Sequence, residues 1–396
     1  MNLRRSAHRL ARDGWILLLL AVLPIIAYAP AWWNARLLGP GDGAALHYPL
    51  RAAVWEELRA GRVPDWNHHA FSGTPLLAAY RPGALYPPML ALAALPPFLA
   101  FQLLVLGSLA ATGVLVFLYL RRLRCHPAGS YFGALAFVLG PYLVGHLGDT
   151  ATLVAAPLLP LVLLTAEHYV TGASLRAAAA LGMSFALLLL SSSPEAVRAG
   201  VALIAGRLLV GHLMRPVGSV KLRPAVSIAA LFFGACLAAP QLVPTLLAAQ
   251  AAGLQVTGIA RGGAGDLPGA TGLVLRYVSH TPAPELALAA LPLLVRRTPV
   301  QVLAAALALC LALQWGRGPL AAPGALALVF DLTLAILAGL SLSAQWRARH
   351  EARGATLRAY LLVWCLASAA ALSVAGAALG RCPKISPALS ASWRSR

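Results

Sequence analysis

Residues 15–33, WILLLLAVLPIIAYAPAWW, decide the class of fold. The stretch has 19 residues and no charged side chain. At about 1.5 Å per residue, a helix of this length reaches roughly 28 Å, which is about the thickness of the hydrocarbon core of a bilayer. The sequence therefore predicts a first transmembrane helix over residues 15–33, preceded by a basic N-terminus, residues 1–14.

A cleavable signal peptide is the competing interpretation of the same stretch. Four arginines precede it, and Ala27-Tyr28-Ala29 has the form of a small-residue cleavage site. However, the apolar run is long for such a peptide, and Pro30 would directly follow the cut. We expect an uncleaved helix.

The chain as a whole is rich in apolar residues. Of its 396 residues, 60% are hydrophobic and 11% are charged, which leaves too little polar surface for a soluble domain of this size. Apolar windows predict ten further spans within residues 99–380: 99–120, 128–146, 151–170, 175–193, 196–213, 225–250, 284–295, 299–315, 323–344 and 358–380. The expected fold is an all-α polytopic membrane protein, a single membrane domain over residues 1–396 with about 11 transmembrane helices and a C-terminal tail, 381–396.

The basic residues predict which side each connection faces. Short loops rich in Lys and Arg stay in the cytoplasm. Alternate connections and the N-terminus hold 17 of the 31 basic residues, among them Arg121, Arg122, Arg124 and Arg176, whereas the opposite short loops 146–150 and 191–195 hold none. We therefore expect a cytoplasmic N-terminus and a long extracytoplasmic loop over residues 34–98.

The net charge of +19 has a different meaning here from the one it has in a soluble protein. In a membrane protein, positive charge sets topology and meets anionic lipid, so we expect the lipid bilayer and no nucleic acid as a partner. The sequence has no Walker motif, no GxGxxG strand turn and no Ser-His-Asp grouping. These absences leave ATP hydrolysis, nicotinamide chemistry and serine hydrolysis without support.

The long loop combines acidic and aromatic residues with turn residues. It carries four of the twelve acidic residues: Asp42, Glu56, Glu57 and Asp65. Pro49 favours a short helix in which Leu46, Leu50, Val54 and Leu58 form an apolar stripe with Arg51 off it, ending at Gly61. A second short helix is expected near Tyr86 to Leu95, and both are predicted to lie at the membrane surface.

The order of short motifs in this loop resembles a known family. The motifs are Gly41-Asp42-Gly43, Tyr48-Pro49, Leu58-Arg59-Ala60-Gly61, Pro64-Asp65-Trp66-Asn67, Gly73-Thr74-Pro75 and Tyr86-Pro87-Pro88. Together they resemble the first outer loop of the YfhO-like bacterial membrane proteins, which are similar to GT-C glycosyltransferases. One departure is Asn67-His68, where the family often has Asn-Pro.

The resemblance implies an enzyme in the inner membrane of a bacterium. Such an enzyme moves a sugar from a polyprenyl-phosphate donor to a glycan, lipid or protein acceptor on the outer face. In GT-C enzymes an Asp of the first outer loop acts as the base or orients the acceptor, and Asp42 fits this position. A second acidic residue often lies in the next outer loop, and the topology puts Asp149 there. Tyr48, Trp66 and Asn67 are the expected contacts to the acceptor or sugar.

The chemistry of sugar transfer makes similar demands. A carboxylate must accept the proton of the acceptor hydroxyl, and cations must stabilise the departing phosphate. Arg51, Arg62 and Arg81 in the same loop are candidates for the phosphate. Arg198 is a further candidate, because a charge near the outer end of an apolar span usually has a function.

Structural interpretations stand beside these assignments. Asp42 is also a good turn former, and Asp149 precedes Thr150, where it suits a helix N-cap. Asp65, His68 and His69 leave room for a divalent metal, although adjacent histidines seldom converge on one ion; we predict no metal site and no required cofactor. Gln241, between Pro240 and Pro244, is expected in a broken helix, where it either lines a polar cavity or packs against another helix.

Three functions remain open at this level. The first is the lipid-linked sugar transferase. The second is a transporter or flippase of a lipid-linked intermediate, for which charged residues deep in several helices would be expected. The third is a non-catalytic partner in envelope assembly. Replacing Asp42 separates the first from the third.

Overall fold

The structure, a computed structural model, describes residues 13–30, 37–38, 42–70, 72–213, 224–251 and 323–350. This part of the chain is mostly helical. The helices of the bundle are α1 (Gly14–Ala27), α4 (Pro97–Arg122), α5 (Pro127–Val138), α6 (Pro141–Gly145), α7 (Thr150–Ala155), α8 (Leu158–Gly172), α9 (Leu175–Leu190), α10 (Pro194–Leu213), α11 (Pro224–Ala251) and α12 (Pro323–His350).

Four helical stretches in the described residues are long and apolar enough to span a membrane. They are Pro97–Arg122, Pro127–Gly145, Thr150–Gly172 and Pro224–Ala251, and each coincides with a predicted span. Gly14–Ala27, Leu175–Leu190 and Ala327–Ser343 are shorter apolar helices. The protein is thus a helical chain with the features of a membrane protein, whereas the total of eleven spans and the GT-C arrangement stay predictions. The predicted spans 284–295, 299–315 and 358–380 lie outside the described residues.

Prolines divide two of the predicted spans. The stretch 128–146 is interrupted between Val138 and Pro141, and the stretch 151–170 is interrupted just before Leu158, at Pro157. A proline lacks the amide donor that a continuous helix needs and restricts the residue before it, which explains both breaks. In contrast, α11 runs through Pro240 and Pro244 without a break, so the prediction of a broken helix there is wrong.

Glycines let two pairs of helices approach closely. Gly182 of α9 lies against the backbone of Ala230, and Gly234 of α11 lies against the backbone of Gly182. In the same way, Gly129 and Gly339 bring α5 and α12 into backbone contact. Small residues are typical of such interfaces in apolar bundles, because lipid offers no hydrophobic gain and close packing must hold the helices together.

The two ends of the bundle differ in chemistry. At one end, the Nε atom of Arg121 lies 2.7 Å from a carboxylate oxygen of Asp13, and the Nε atom of Arg207 lies 2.6 Å from one of Glu167. Arg122 donates to Thr171 at this end too. These contacts join the start of α1 to the ends of α4, α8 and α10, and we call this the basic end. Within the described residues, the start of α1 and the connections that follow α4 and α8, all predicted to face inward, therefore share one end.

The opposite end carries the connecting segment, residues 42–96. It begins with a π-helical turn, Gly43–His47, and continues through α2 (Tyr48–Arg59), β1 (Trp66–Asn67), β2 (Thr74–Pro75) and α3 (Pro87–Ala91). The strands form an antiparallel hairpin that pairs Trp66 with Pro75 and Asn67 with Thr74. The predicted helix near Pro49 is confirmed as α2, and the chain turns at Gly61, where φ is +69°.

The burial of α2 differs from the predicted pattern. Val54 of the expected apolar stripe is fully buried, but Arg51, which we placed off the stripe, is buried as well, and Leu46 is 39% exposed. Trp55 is also buried and donates from Nε1 to the carbonyl oxygen of Met89, at 2.9 Å. Much of α2 therefore packs against the protein itself.

Candidate functional site

Asp42 lies at the start of the π-helical turn, at the end of the bundle opposite the basic end. Its side chain is exposed and does not cap the helix that follows. Within the described residues its carboxylate has no hydrogen-bond or ion-pair partner. The interpretation of Asp42 as a residue that bonds neighbouring amides therefore receives no support from the contacts of its side chain. π-helical turns are uncommon and often occur at functional sites.

The turn that carries Asp42 packs against the loop before α7. A Cβ atom at Gly43 would lie 3.2 Å from the carbonyl oxygen of Gly148, so the two backbones are in close contact. At the end of the same turn, the Nε2 atom of the buried His47 lies 3.3 Å from Oδ1 of Asp149. Asp42 and Asp149, the two predicted acidic residues, thus lie at one end of the bundle. Asp42 directly precedes Gly43, and Asp149 itself contacts His47.

Asp149 is engaged in hydrogen bonds and caps α7. Its Oδ1 accepts from the backbone amide of Ala151, at 3.2 Å, and its Oδ2 accepts from Oγ1 of Thr152, at 2.6 Å. Burial would raise the pKa of Asp149, but the hydrogen bonds from His47 and Thr152 outweigh burial and hold the pKa well below its usual value. The N-cap interpretation is confirmed. A carboxylate that stays ionised and whose oxygens already accept hydrogen bonds suits a structural role better than proton transfer.

Arg51 is buried inside the same contact, and its side chain is 1% exposed. It donates to Oγ1 of Thr150 at 2.5 Å and to the carbonyl oxygen of Thr150 at 3.5 Å. The guanidinium also lies over the ring of Phe101, 5.9 Å from its centroid. Burial lowers the pKa of Arg51 to about 10, although the charge of Asp149 opposes this. The residue is not open to a donor phosphate in this arrangement.

Tyr48 lies beside Arg51 and also contacts Phe101. The two rings meet edge to face with centroids 5.4 Å apart. Burial raises the pKa of Tyr48, and the charge of Arg59 opposes the shift. Tyr48 is half-buried, so part of its surface remains open near the turn that carries Asp42.

The other predicted residues of the connecting segment lie elsewhere. Arg62 is paired with Glu57, with its Nε atom 2.6 Å from the carboxylate, and this hydrogen bond lowers the pKa of Glu57. Arg81 is exposed. Trp66 packs over Gly73 of the hairpin, and the side chain of Asn67 accepts from the amide of His69. In the described part of the chain, none of these side chains forms a hydrogen bond or an ion pair with Asp42, His47 or Asp149.

Arg198 belongs to a second polar group at the same end. It is half-buried on α10, and its Nε atom is buried without a partner among the described residues. Arg198 interacts electrostatically with Glu195. The carboxylate of Glu195 accepts a hydrogen bond from the hydroxyl of Tyr142, at 3.1 Å, and lies against Gly324 of α12. His146 stacks on Tyr142 with ring centroids 4.0 Å apart.

Sequence reasoning missed one charged residue of this region. Asp331 on α12 is fully buried, and a Cβ atom at Gly140 would lie 2.6 Å from its carboxylate. The sequence does contain a signal for this residue. Asp331 is the one acidic residue in the predicted span 323–344, and a charge inside an apolar span is a functional candidate.

Hydrogen bonds hold the segment between β2 and α3 to the end of α9 and to the second half of α11. Gln241 is fully buried; its Nε2 donates to the carbonyl oxygen of Leu77 at 2.6 Å, and its Oε1 accepts from the amide of Leu85 at 3.2 Å. The hydroxyl of Tyr80 donates to the carbonyl oxygen of Leu189 at 2.8 Å. Gln241 thus binds the connecting segment.

As for a metal, the described residues contain no group of three His, Cys, Asp or Glu side chains that could hold an ion. His69 instead lies 3.2 Å from the carboxylate of Glu56. The comparisons with known proteins give no further guidance, because no family model matches the chain and no curated protein matches its sequence.

Proposed function

We propose that the protein is a polytopic membrane glycosyltransferase that takes a sugar from a polyprenyl-phosphate donor and passes it to an acceptor hydroxyl. The observation that carries the proposal is the position of Asp42. Its exposed carboxylate has no partner in the described part of the chain, yet buried contacts fix the turn that holds it. A general base needs this combination of free access and a rigid support.

In this mechanism Asp42 accepts the proton of the acceptor hydroxyl. The oxygen then forms a bond to the anomeric carbon, and the bond between that carbon and the phosphate oxygen breaks. The electron pair leaves with the polyprenyl phosphate, whose negative charge a cation must stabilise. Arg81 and Arg198 are the candidates for this role, because Arg51 and Arg62 already have partners.

The proposal includes the sidedness of the protein. The reaction takes place outside the cytoplasm, with the N-terminus inside. Two features support it: Arg121, Arg122 and Arg207 lie at the end opposite Asp42, and the short loops 146–150 and 191–195, which are predicted to face outward, hold no Lys or Arg.

Mass spectrometry of a deletion strain tests the activity. Envelope glycans and lipid-linked sugars are compared after restoration with wild type, Asp42→Asn or Asp65→Asn at equal membrane abundance. Asp65 is a matched control, since it is an exposed acid of the same segment that lies next to the hairpin. We expect wild type and Asp65→Asn to restore the missing sugar and Asp42→Asn to leave its polyprenyl donor accumulated. Equal restoration by all three would contradict the proposal.

One observation favours transport as a second candidate. Asp331 is buried within α12, and Glu195 lies against Gly324 of the same helix; charges inside the bundle are typical of transporters. In that case Asp331→Asn, and not Asp42→Asn, would abolish function. The lipid-linked sugar would then accumulate on the cytoplasmic leaflet.

A further inference from the structure

Three residues of one helical run contact the loop that precedes α7 and the first residue of that helix. Gly43, His47 and Arg51 are spaced four residues apart, and they touch Gly148, Asp149 and Thr150 in the same order. Asp42 directly precedes the first of these contacts. The last contact, between Arg51 and Thr150, is fully buried.

The Arg51 contact differs from the other two in the cost of breaking it. A guanidinium deprived of its acceptor in a buried place is strongly destabilising, because its charge can no longer reach water. The Thr150 side chain and carbonyl oxygen therefore hold Arg51, and with it α2, in one place. The Gly43 contact is only van der Waals packing, and the carboxylate of the His47 contact is partly exposed to solvent.

Arg51 is also badly placed to bind substrate. Two of its nitrogen atoms donate to Thr150, and the third, Nε, is buried and has no partner among the described residues. An anion would have to displace Thr150 and enter the protein to reach it.

We propose that Arg51 is a positioning residue that holds the Asp42 turn against the start of α7. We call its two hydrogen bonds to Thr150 the lock. The proposal rests on the proposed function for its catalytic consequence, but the lock itself is a claim about the fold. A misplacement of about 1 Å is enough to lower the rate of an oriented reaction about a hundredfold. Loss of the lock should therefore resemble loss of Asp42, without loss of donor binding.

The test uses the full chain in lipid nanodiscs and in the deletion strain. The variants are Arg51→Met, the conservative Arg51→Lys, and Arg59→Met as the control on the exposed face of the same helix. Undecaprenyl phosphate, the proposed leaving product, is the binding probe. We expect Arg51→Met to abolish the envelope sugar while its Kd for the probe changes by less than about twofold. Arg51→Lys should restore part of the sugar, and Arg59→Met should behave as wild type.

Two results would overturn the proposal. A Kd weakened about tenfold or more by Arg51→Met would make Arg51 a ligand of the phosphate. The second result is a wild-type amount of the sugar in the Arg51→Met strain while the Asp42→Asn strain lacks the sugar. It would show that sugar transfer does not depend on the lock. If Arg51→Met does not fold, Thr150→Val removes the side-chain acceptor instead and is judged by the same two results.

Hydrogen exchange keeps the test decisive if Asp42→Asn itself has no effect. In that case the proposed function fails, but the lock can still be measured. We expect the amides of residues 43–51 to exchange about tenfold faster in Arg51→Met than in wild type or Arg59→Met. Unchanged exchange would contradict the lock independently of any activity.

Discussion

Asp42 and Asp149 lie at the same end of the bundle, but their carboxylates have different surroundings. Asp42 is exposed and free of partners within the described residues, whereas Asp149 caps α7 and accepts hydrogen bonds from His47 and Thr152. An N-cap carboxylate typically contributes about 1–2 kcal/mol, and partial exposure of Asp149 reduces its electrostatic share. We therefore expect Asp149→Ala to destabilise the protein by about 1–2 kcal/mol at pH 7, and Asp149→Asn by less, because Asn also caps helices.

The effect of Asp149→Ala should depend on pH. The pKa of Asp149 is lowered by folding, so its stabilisation is complete above the ordinary Asp pKa of about 3.9 and is lost as the pH falls through the lowered folded-state value. Thermal unfolding in detergent from pH 7 down to pH 3 checks this. The gap between wild type and Asp149→Ala should begin to close only below about pH 4. A gap that is constant or widens with acid would contradict the assignment.

Arg51 marks the limit of sequence reasoning at the residue scale. Its place in the loop was predicted, but the period of the apolar residues put it off the buried stripe. The partner that buries it, Thr150, lies 99 residues away, and no local pattern reports such a contact. The N-cap of Asp149 was predictable because a cap depends only on neighbouring residues. Asp331 was also predictable, since a single charge stands out in an apolar run.

At the scale of elements, the glycine contact between α9 and α11 gives a direct test of packing. A methyl group at Gly182 would meet the carbonyl oxygen of Ala230, which belongs to backbone and cannot easily move. Gly107 of α4 is the control, because nothing lies within 4 Å of its Cβ position. We expect Gly182→Ala to destabilise by about 1–3 kcal/mol. Gly107→Ala should stabilise by up to about 1 kcal/mol.

Unfolding in detergent monitored by circular dichroism measures both glycine variants. If Gly182→Ala is as stable as Gly107→Ala, the close approach of α9 and α11 is wrong. Helix lengths and prolines predicted most of the elements, but they could not identify which helices touch. That information lies in pairs such as Gly182 and Gly234, far apart in sequence.

The hydrogen bonds that join α11 to the connecting segment can also be tested. Gln241 is fully buried and forms hydrogen bonds with two backbone groups, the carbonyl oxygen of Leu77 and the amide of Leu85. Gln241→Ala would leave both groups unpaired, at a cost of about 1–3 kcal/mol. We expect faster proteolysis near residues 76–86 and a lower Tm. Gln250→Ala, an exposed glutamine on the same helix, should change neither. Equal protease resistance of the two variants would exclude the link.

At the scale of the whole molecule, the direction of α12 bears on the predicted topology. Its start lies at the Asp42 end, because Gly324 contacts Glu195 at the start of α10. Its end lies at the basic end, where the amide of His126 donates to Ser343. This is the direction that the eleven-span topology requires, although three of those spans lie outside the described residues.

Cysteine labelling in intact cells tests that topology. The five native cysteines are first replaced. Single cysteines are then placed at Asp65 in the connecting segment and at Arg176 at the start of α9, both exposed. A membrane-impermeant maleimide should label the cysteine at position 65 in intact cells and the cysteine at position 176 only after lysis, because basic connections are retained in the cytoplasm. The reverse pattern would place Asp42 in the cytoplasm. A donor on the outer face could not reach it there, so the same result would also remove the proposed transferase.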